Sequence, residues 1–313
     1  MIMNLSNNFK KIVMNASLGS NIYRPTLLIL LAIFALIFIN GCAGKKSSSS
    51  GEFSSWSAVS PNVLTHFSNG NSTVISTTGT ISQTDSNVNA NILLDSGYNI
   101  SSVTLNQTAT NAVTFSVAAG DTIVKDATGA NSILTNQKST SIGILANQSY
   151  YGYQYQTYGA WGAWGSAGVG GNAVSVGSLT AGSNIPTSGS AVFTGGANGY
   201  LIDGLKYSYV TSASMSATVN FAARQVAFST SGTTIVGKTS GTTLAISGLD
   251  LTGSMSYSAG TNKMTGSVTS GSGMSGSIIA NFYGPAANEI GGTYGLTQTS
   301  SGNSLVGGFG GKR

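Results

Sequence analysis

The stretch SMSATVNFAARQVAF, residues 214–228, is apolar at every second position. Met215, Ala217, Val219 and Phe221 alternate with Ser216, Thr218 and Asn220. A period of two sends successive side chains to opposite faces of an extended chain, so this segment reads as a strand with one apolar face and one wet face. Ala223, Arg224 and Gln225 turn the chain before Val226, Ala227 and Phe228 resume the alternation, which is the pattern of an antiparallel hairpin. TTLAISG, GSMSYSAGTNKMTGSV, GSIIANFYG, GGTYGLTQ and SLVGGFGG continue it, joined by Ser-Gly, Gly-Thr-Asn and Ser-Gly-Asn turns. About eight such strands fit between Tyr151 and Phe309, enough to close a small barrel filled by its own side chains. Closure also removes exposed strand edges.

Period two leaves open which face is inside, since a membrane barrel shows the same alternation with its apolar residues outward. No aromatic girdle repeats at strand ends and the chain finishes on Gly-Gly-Lys-Arg, which favours a soluble barrel. Upstream, from about Ser55 to Gln148, short segments such as STVISTTGTI, SVTLNQTA, AVTFSVAAG and SIGILA recur between Asn, Asp, Gly and Ser, the spacing of an antiparallel β domain. One helical turn is expected within VSPNVLTHF. With four prolines in 313 residues and regular alternation, the glycine-rich and serine-rich texture is that of strands and turns rather than a flexible linker.

The first 41 residues read as an address. Thr26–Gly41, TLLILLAIFALIFING, is one apolar run preceded by Lys10, Lys11 and Arg24 and followed at once by Cys42. A basic region, a short apolar core and a small residue at the cut describe a secretory signal, and Met14 is an alternative start. The run falls short of the roughly 20 apolar residues that span a bilayer as a helix. Ile39-Asn40-Gly41-Cys42 resembles the lipobox of bacterial lipoproteins, which implies cleavage before Cys42 and a diacylglycerol on its thiol. Acylation anchors a protein by about 0.8 kcal/mol per buried methylene. Residues 42–54, with Lys45-Lys46 and five serines, read as a tether. Ala43 after the cysteine is similar to lipoproteins of the outer membrane. Cys42 is the sole cysteine, so the exported part contains no disulfide within the chain.

Removal of the leader takes away three basic residues and no acid, leaving ten basic and eight acidic residues that are single except for Lys45-Lys46 and Lys312-Arg313. That distribution offers no footprint for nucleic acid. Catalytic inventories fail as well. His66 is the only histidine, the eight acids form no paired motif, and neither a zinc-ligand spacing nor a phosphate-binding glycine loop is present. The expectation is a protein that is not an enzyme and needs no cofactor.

Two stretches carry a resemblance. FYGPAANEIGGTYGL, residues 282–296, followed by VGGFGGKR, is similar to the end of the β-barrel lobe of transferrin-binding protein B and of small lipoproteins like it. IPTSGSAVFTG, residues 185–195, resembles the strand that opens such barrels, and YQYQTYGAWGAW the aromatic strand before it. The resemblance covers about Tyr151 to Arg313. It implies an all-β chain with a β-rich handle domain over residues 55–150, an eight-stranded antiparallel barrel over residues 151–313, and a surface lipoprotein anchor. It implies binding of a host protein or solute, for which an iron-carrying protein or haem is the first candidate, and an export partner in the outer membrane. A structural or adhesive surface protein is the alternative.

Within YGYQYQTYGAWGAWG, residues 151–165, alternation places Tyr151, Tyr153 and Tyr155 on one strand face and Gln154 and Gln156 on the other. Tyr151, Tyr153, Tyr155, Tyr158 and Trp161 are the candidate ligand-binding residues, since aromatic side chains concentrate at binding hot spots and a tyrosine can ligate haem iron. Their alternative role is aromatic packing in the first barrel strand. In the terminal motif, Pro285 is expected to start a short helix continued by Ala286, Ala287 and Asn288. Gly291-Gly292 is expected to turn the backbone into the closing strand, and Glu289 to accept backbone amides.

Overall fold

The computed structural model describes residues 55–313, apart from 86–87, 107–111, 166–167, 205–206 and 237–242. The expected signal segment, Cys42 and the expected tether to residue 54 lie outside the described residues. Among the described residues twenty strands follow one another: β1 (Leu64–Ser68), β2 (Gly70–Ile75), β3 (Ile81–Thr84), β4 (Asn89–Leu94), β5 (Ile100–Leu105), β6 (Val113–Ser116), β7 (Thr122–Lys125), β8 (Asn131–Thr135), β9 (Ser141–Ala146) and β10 (Gln156–Gly165). Then come β11 (Gly168–Gly177), β12 (Ser190–Asp203), β13 (Tyr207–Asn220), β14 (Gln225–Val236), β15 (Thr243–Ala245), β16 (Leu251–Tyr257), β17 (Met264–Ser270), β18 (Ser275–Tyr283), β19 (Glu289–Gln298) and β20 (Asn303–Lys312). Where one helical turn is expected in VSPNVLTHF, the chain makes a turn at Pro61 and Asn62, the latter at φ 58°, and then runs extended from Leu64. The 3-10 turn sits earlier, at Trp56–Ala58, and Leu64 onward joins β1 because its neighbours pair with β4.

The strands form three layers. β12, β20, β19, β18, β17, β16 and β14 pair in that order, and β13 closes the ring by pairing with both β12 and β14. This is a closed eight-stranded antiparallel barrel. Alternation resolves in favour of an apolar interior: Leu251, Met255, Met264 and Val268 are buried inside, while Thr252, Ser254, Thr265 and Ser267 are exposed outside. Outward hydroxyls stand where a lipid-immersed barrel carries an apolar band. Phe228 and Phe309 meet at 4.7 Å between ring centroids, and Phe282 packs against Phe193 and Phe221. Each such buried ring contributes about 1.5–3 kcal/mol.

β10 and β11 lie elsewhere than the expected boundary at residue 151 implies. They are the centre of a seven-stranded sheet, ordered β3-β2-β11-β10-β9-β8-β7, in which β11 pairs with β2 and β10 with β9. The barrel strands therefore start at Ser190, within the IPTSGSAVFTG stretch. The seven-stranded sheet is the middle layer. Its outer face packs Leu134, Leu145, Trp161, Val174 and Val176 against a four-stranded sheet, β1-β4-β5-β6, contributing Phe67, Ile92, Val103 and Phe115. Its inner face packs Ile75, Ile142, Ile144 and Ala173 against Tyr200, Ile202, Val210 and Val306 on the barrel wall.

Candidate functional site

The aromatic segment leaves β9 through Asn147, whose Oδ1 accepts the amides of Ser149 at 3.1 Å and Tyr150 at 3.4 Å. That cap starts a single helical turn, Gln148–Tyr151, and Gly152 ends it at φ 66°, a left-handed conformation that glycine adopts without a Cβ clash. Tyr151 thus sits in a helical turn rather than on a strand face with Tyr153 and Tyr155, and β10 begins only at Gln156. The local cap outweighs the alternation.

Tyr151 and Tyr153 stack with centroids 5.1 Å apart and planes 17° apart, and Tyr158 packs edge-on to Tyr153 at 6.0 Å. Tyr153 donates its hydroxyl to the Gly310 carbonyl at 2.5 Å and accepts the Gly196 amide at 3.3 Å, so it ties the segment to β20 and β12. Tyr153, Tyr158 and Trp161 are buried, while Tyr151 and Tyr155 are half-buried. Tyr158 and Trp161 face opposite sides of β10. Tyr158 lies on the barrel, and Trp161 belongs to the core between the two sheets.

The close approach depends on glycine. A Cβ at Gly310 would stand 2.7 Å from Tyr158 Cε1, and one at Gly308 3.2 Å from Tyr158 Cβ. Gly291 is likewise inside β19, not at a turn, and leaves room for the Gln156 side chain. Gln156 donates its amide to the Ile290 carbonyl at 2.9 Å. Gly284–Ala287 form a turn instead of a helix. Gly284 and Ala287 both have positive φ, 86° and 54°, which breaks helical continuation.

Glu289 accepts backbone amides as expected, yet from the aromatic segment across the interface: Gln154 at 2.5 Å and Tyr155 at 3.2 Å. It is 2% exposed. Burial pushes its carboxyl up to about 7, against the opposing pull of those two amides, Lys312 and Gln156. Burial also raises the phenols of Tyr151, to about 12, and of Tyr153 and Tyr158. A phenol held protonated is a poor start for iron ligation, which uses the phenolate. His66 Nδ1 lies 2.6 Å from Asn91 Oδ1 across the β1–β4 pair. Among the described residues no group of three or more His, Cys, Asp or Glu side chains is placed to hold a metal.

Two features bear on the outside. The β3 edge of the seven-stranded sheet reaches the barrel through Lys263–Asp85 at 2.6 Å and through Gln83 donating to the Ser277 carbonyl at 3.3 Å. The outer barrel wall carries a groove of 740 Å³ among Asn220, Gln225, Ser254, Ser256 and Thr265, with no charged side chain in its lining.

Residues 185–313 match a sequence family described as the C-lobe and N-lobe β-barrels of transferrin-binding protein B. The barrel of this chain is similar to those barrels. The matched span opens at Ile185, just ahead of β12, and runs to the last residue. Among solved structures, a point mutant of the vaccine antigen transferrin-binding protein B from Haemophilus parasuis Hp5 is similar at 14% identity, with TM-score 0.46, over 77% of this chain and 44% of that one. The isotype 1 protein from serogroup B Neisseria meningitidis is 15% identical, with TM-score 0.41, over 82% of this chain and 45% of its own. A surface lipoprotein is 15% identical, with TM-score 0.35, over 61% of this chain and 96% of that one. The chain spans less than half the length of the two transferrin-binding proteins, and the sequence-family match is confined to residues 185–313. No curated protein sequence matches the chain.

Proposed function

We propose that this chain is a lipid-anchored outer-membrane protein, exposed at the cell surface, that captures a host protein or solute for iron or haem acquisition. The observation that carries the reading is the match of residues 185–313 to transferrin-binding protein B barrels. The Ile39–Cys42 stretch supports it by supplying the acylated cysteine, and a family of binding proteins supports capture over catalysis. A barrel packed with its own side chains has no lumen for a ligand, so capture falls to surfaces of the handle and to loops. Of the five aromatic candidates, Tyr151 and Tyr155 are the two positioned to touch a partner, while Tyr153 and Tyr158 serve by packing on the barrel and Trp161 by filling the core between the seven-stranded and four-stranded sheets. An outer-membrane export partner that recognises the barrel completes the scheme.

The test is labelling of intact cells with a membrane-impermeant biotin, with and without Cys42→Ala. Surface signal that disappears in the variant supports the anchored receptor. No signal from the unaltered protein places it facing the periplasm and overturns the capture of host proteins. The groove on the outer barrel wall favours a second reading, an adhesive surface protein, because an uncharged hydroxyl-lined wall suits broad, weak contact. Deletion that impairs attachment while leaving growth on host iron sources unchanged would select it.

A further inference from the structure

A cleft of 430 Å³ opens where the four-stranded sheet meets the edge of the seven-stranded sheet and the helical turn Gln148–Tyr151. Its size lies within the range of small-ligand sites. One wall is Trp56, half-buried and packed on Phe67 with ring centroids 5.2 Å apart, its backbone amide donating to the Gln154 carbonyl. The β4–β5 turn also lines the cleft. There Asp95 Oδ1 accepts the amides of Gly97 at 2.8 Å and Asn99 at 2.9 Å, and Tyr98 is held out at φ 61° and 65% exposed. Leu94 and Ile100 form an apolar floor. Asn99, Ser132 and Ser149 add amide and hydroxyl groups, and Lys125, paired with Ser132 across β7–β8, is the only charged side chain in the lining.

Those side chains fit one ligand chemistry. Two aromatic side chains beside an apolar floor accept a ring with a C–H face, while amides and hydroxyls set at its edge accept several neighbouring hydroxyl groups. A purely apolar ligand would leave the polar rim without partners, which is costly on desolvation. A polyanion would find a single cation. We propose that the cleft binds one sugar residue of a glycan, its C–H face against Trp56 and Tyr98, its hydroxyls toward Asn99, Ser132 and Ser149, and Lys125 receiving a carboxylate when the sugar has one. The cleft lies wholly in residues 56–149, outside the matched barrel, so this inference goes beyond iron capture and stands without it.

The experiment is saturation-transfer NMR on the protein purified in mild detergent, using N-acetylglucosamine, galactose and N-acetylneuraminic acid as probes. Each is present at about 10 mM, well above a millimolar dissociation constant. Transfer to the ring protons of at least one sugar is expected, with at least a five-fold loss in Tyr98→Asn, a substitution that tolerates the left-handed backbone of this exposed turn. Lys125→Ala should weaken N-acetylneuraminic acid alone. Absence of transfer to all three sugars overturns the proposal, as does equal transfer in Tyr98→Asn with an unchanged circular dichroism spectrum. Pull-down of host iron proteins is a separate readout, so failure of one reading does not imitate failure of the other.

Discussion

Replacing Glu289 with Gln removes the most deeply buried carboxylate among the described residues, at the point where the aromatic segment meets β19. Its ordinary value is 4.5, and burial lifts it to about 7 in the folded protein. The folded state therefore keeps a proton that the unfolded chain has already released between those two values. Its contribution to stability is fully present below about 4.5 and is lost as pH rises through about 7, the sign expected when a folded-state value is raised. At 1.36 kcal/mol per decade, the gap corresponds to about 3 kcal/mol. Glutamine imitates the protonated acid, keeps one acceptor for the Gln154 amide and does not titrate. Urea unfolding at about pH 5 and about pH 8 should show the unaltered protein losing about 2.5 kcal/mol more than Glu289→Gln over that interval. Parallel pH profiles for the two proteins would refute the argument that desolvation outweighs the amides and Lys312.

Three further perturbations follow from the geometry. Gly310→Ala pushes a Cβ to within 2.7 Å of Tyr158 Cε1, and urea unfolding should register a loss of about 1–3 kcal/mol by overpacking. Asn147→Ala removes the cap of the helical turn and should cost about 1 kcal/mol by the same assay, with faster amide exchange at Ser149 and Tyr150. Lys263→Met breaks a pair whose side chains are 55% and 31% exposed, so the loss should stay under about 1 kcal/mol and shrink with added salt.

The barrel was legible where its strands bury one face, as β13, β16 and β17 do, whereas β19 and β20 are buried on both faces because the seven-stranded sheet covers them. Met215, Ala217, Val219 and Phe221 alternate with hydroxyls for the plain reason that one set fills the interior and the other meets water. The place of β10 and β11 was not legible. Gly171 pairs with Ile75 and Val176 with Gly70, contacts so distant along the chain that no local pattern announces them. Asn147 and Gly152 did carry a signal for the helical turn, an N-cap residue and a left-handed glycine bracketing four residues, but the run of alternating tyrosines masked it. Gly291 and Gly310 look like turn residues in one dimension. Their role is room for Gln156 and Tyr158, which only the packing of two layers reveals. The cleft was illegible for a related reason, since Trp56, Tyr98, Lys125 and Ser149 come from four separate segments.

The most direct test of the account is a binding titration of the purified protein against iron-loaded transferrin, haemoglobin and free haem. Capture of at least one of them at micromolar concentration is the predicted result, and it should survive substitution of the buried Tyr158 by Phe. Absence of binding to every member of the panel, by protein whose fold is verified by its unfolding transition, would contradict the iron-acquisition reading.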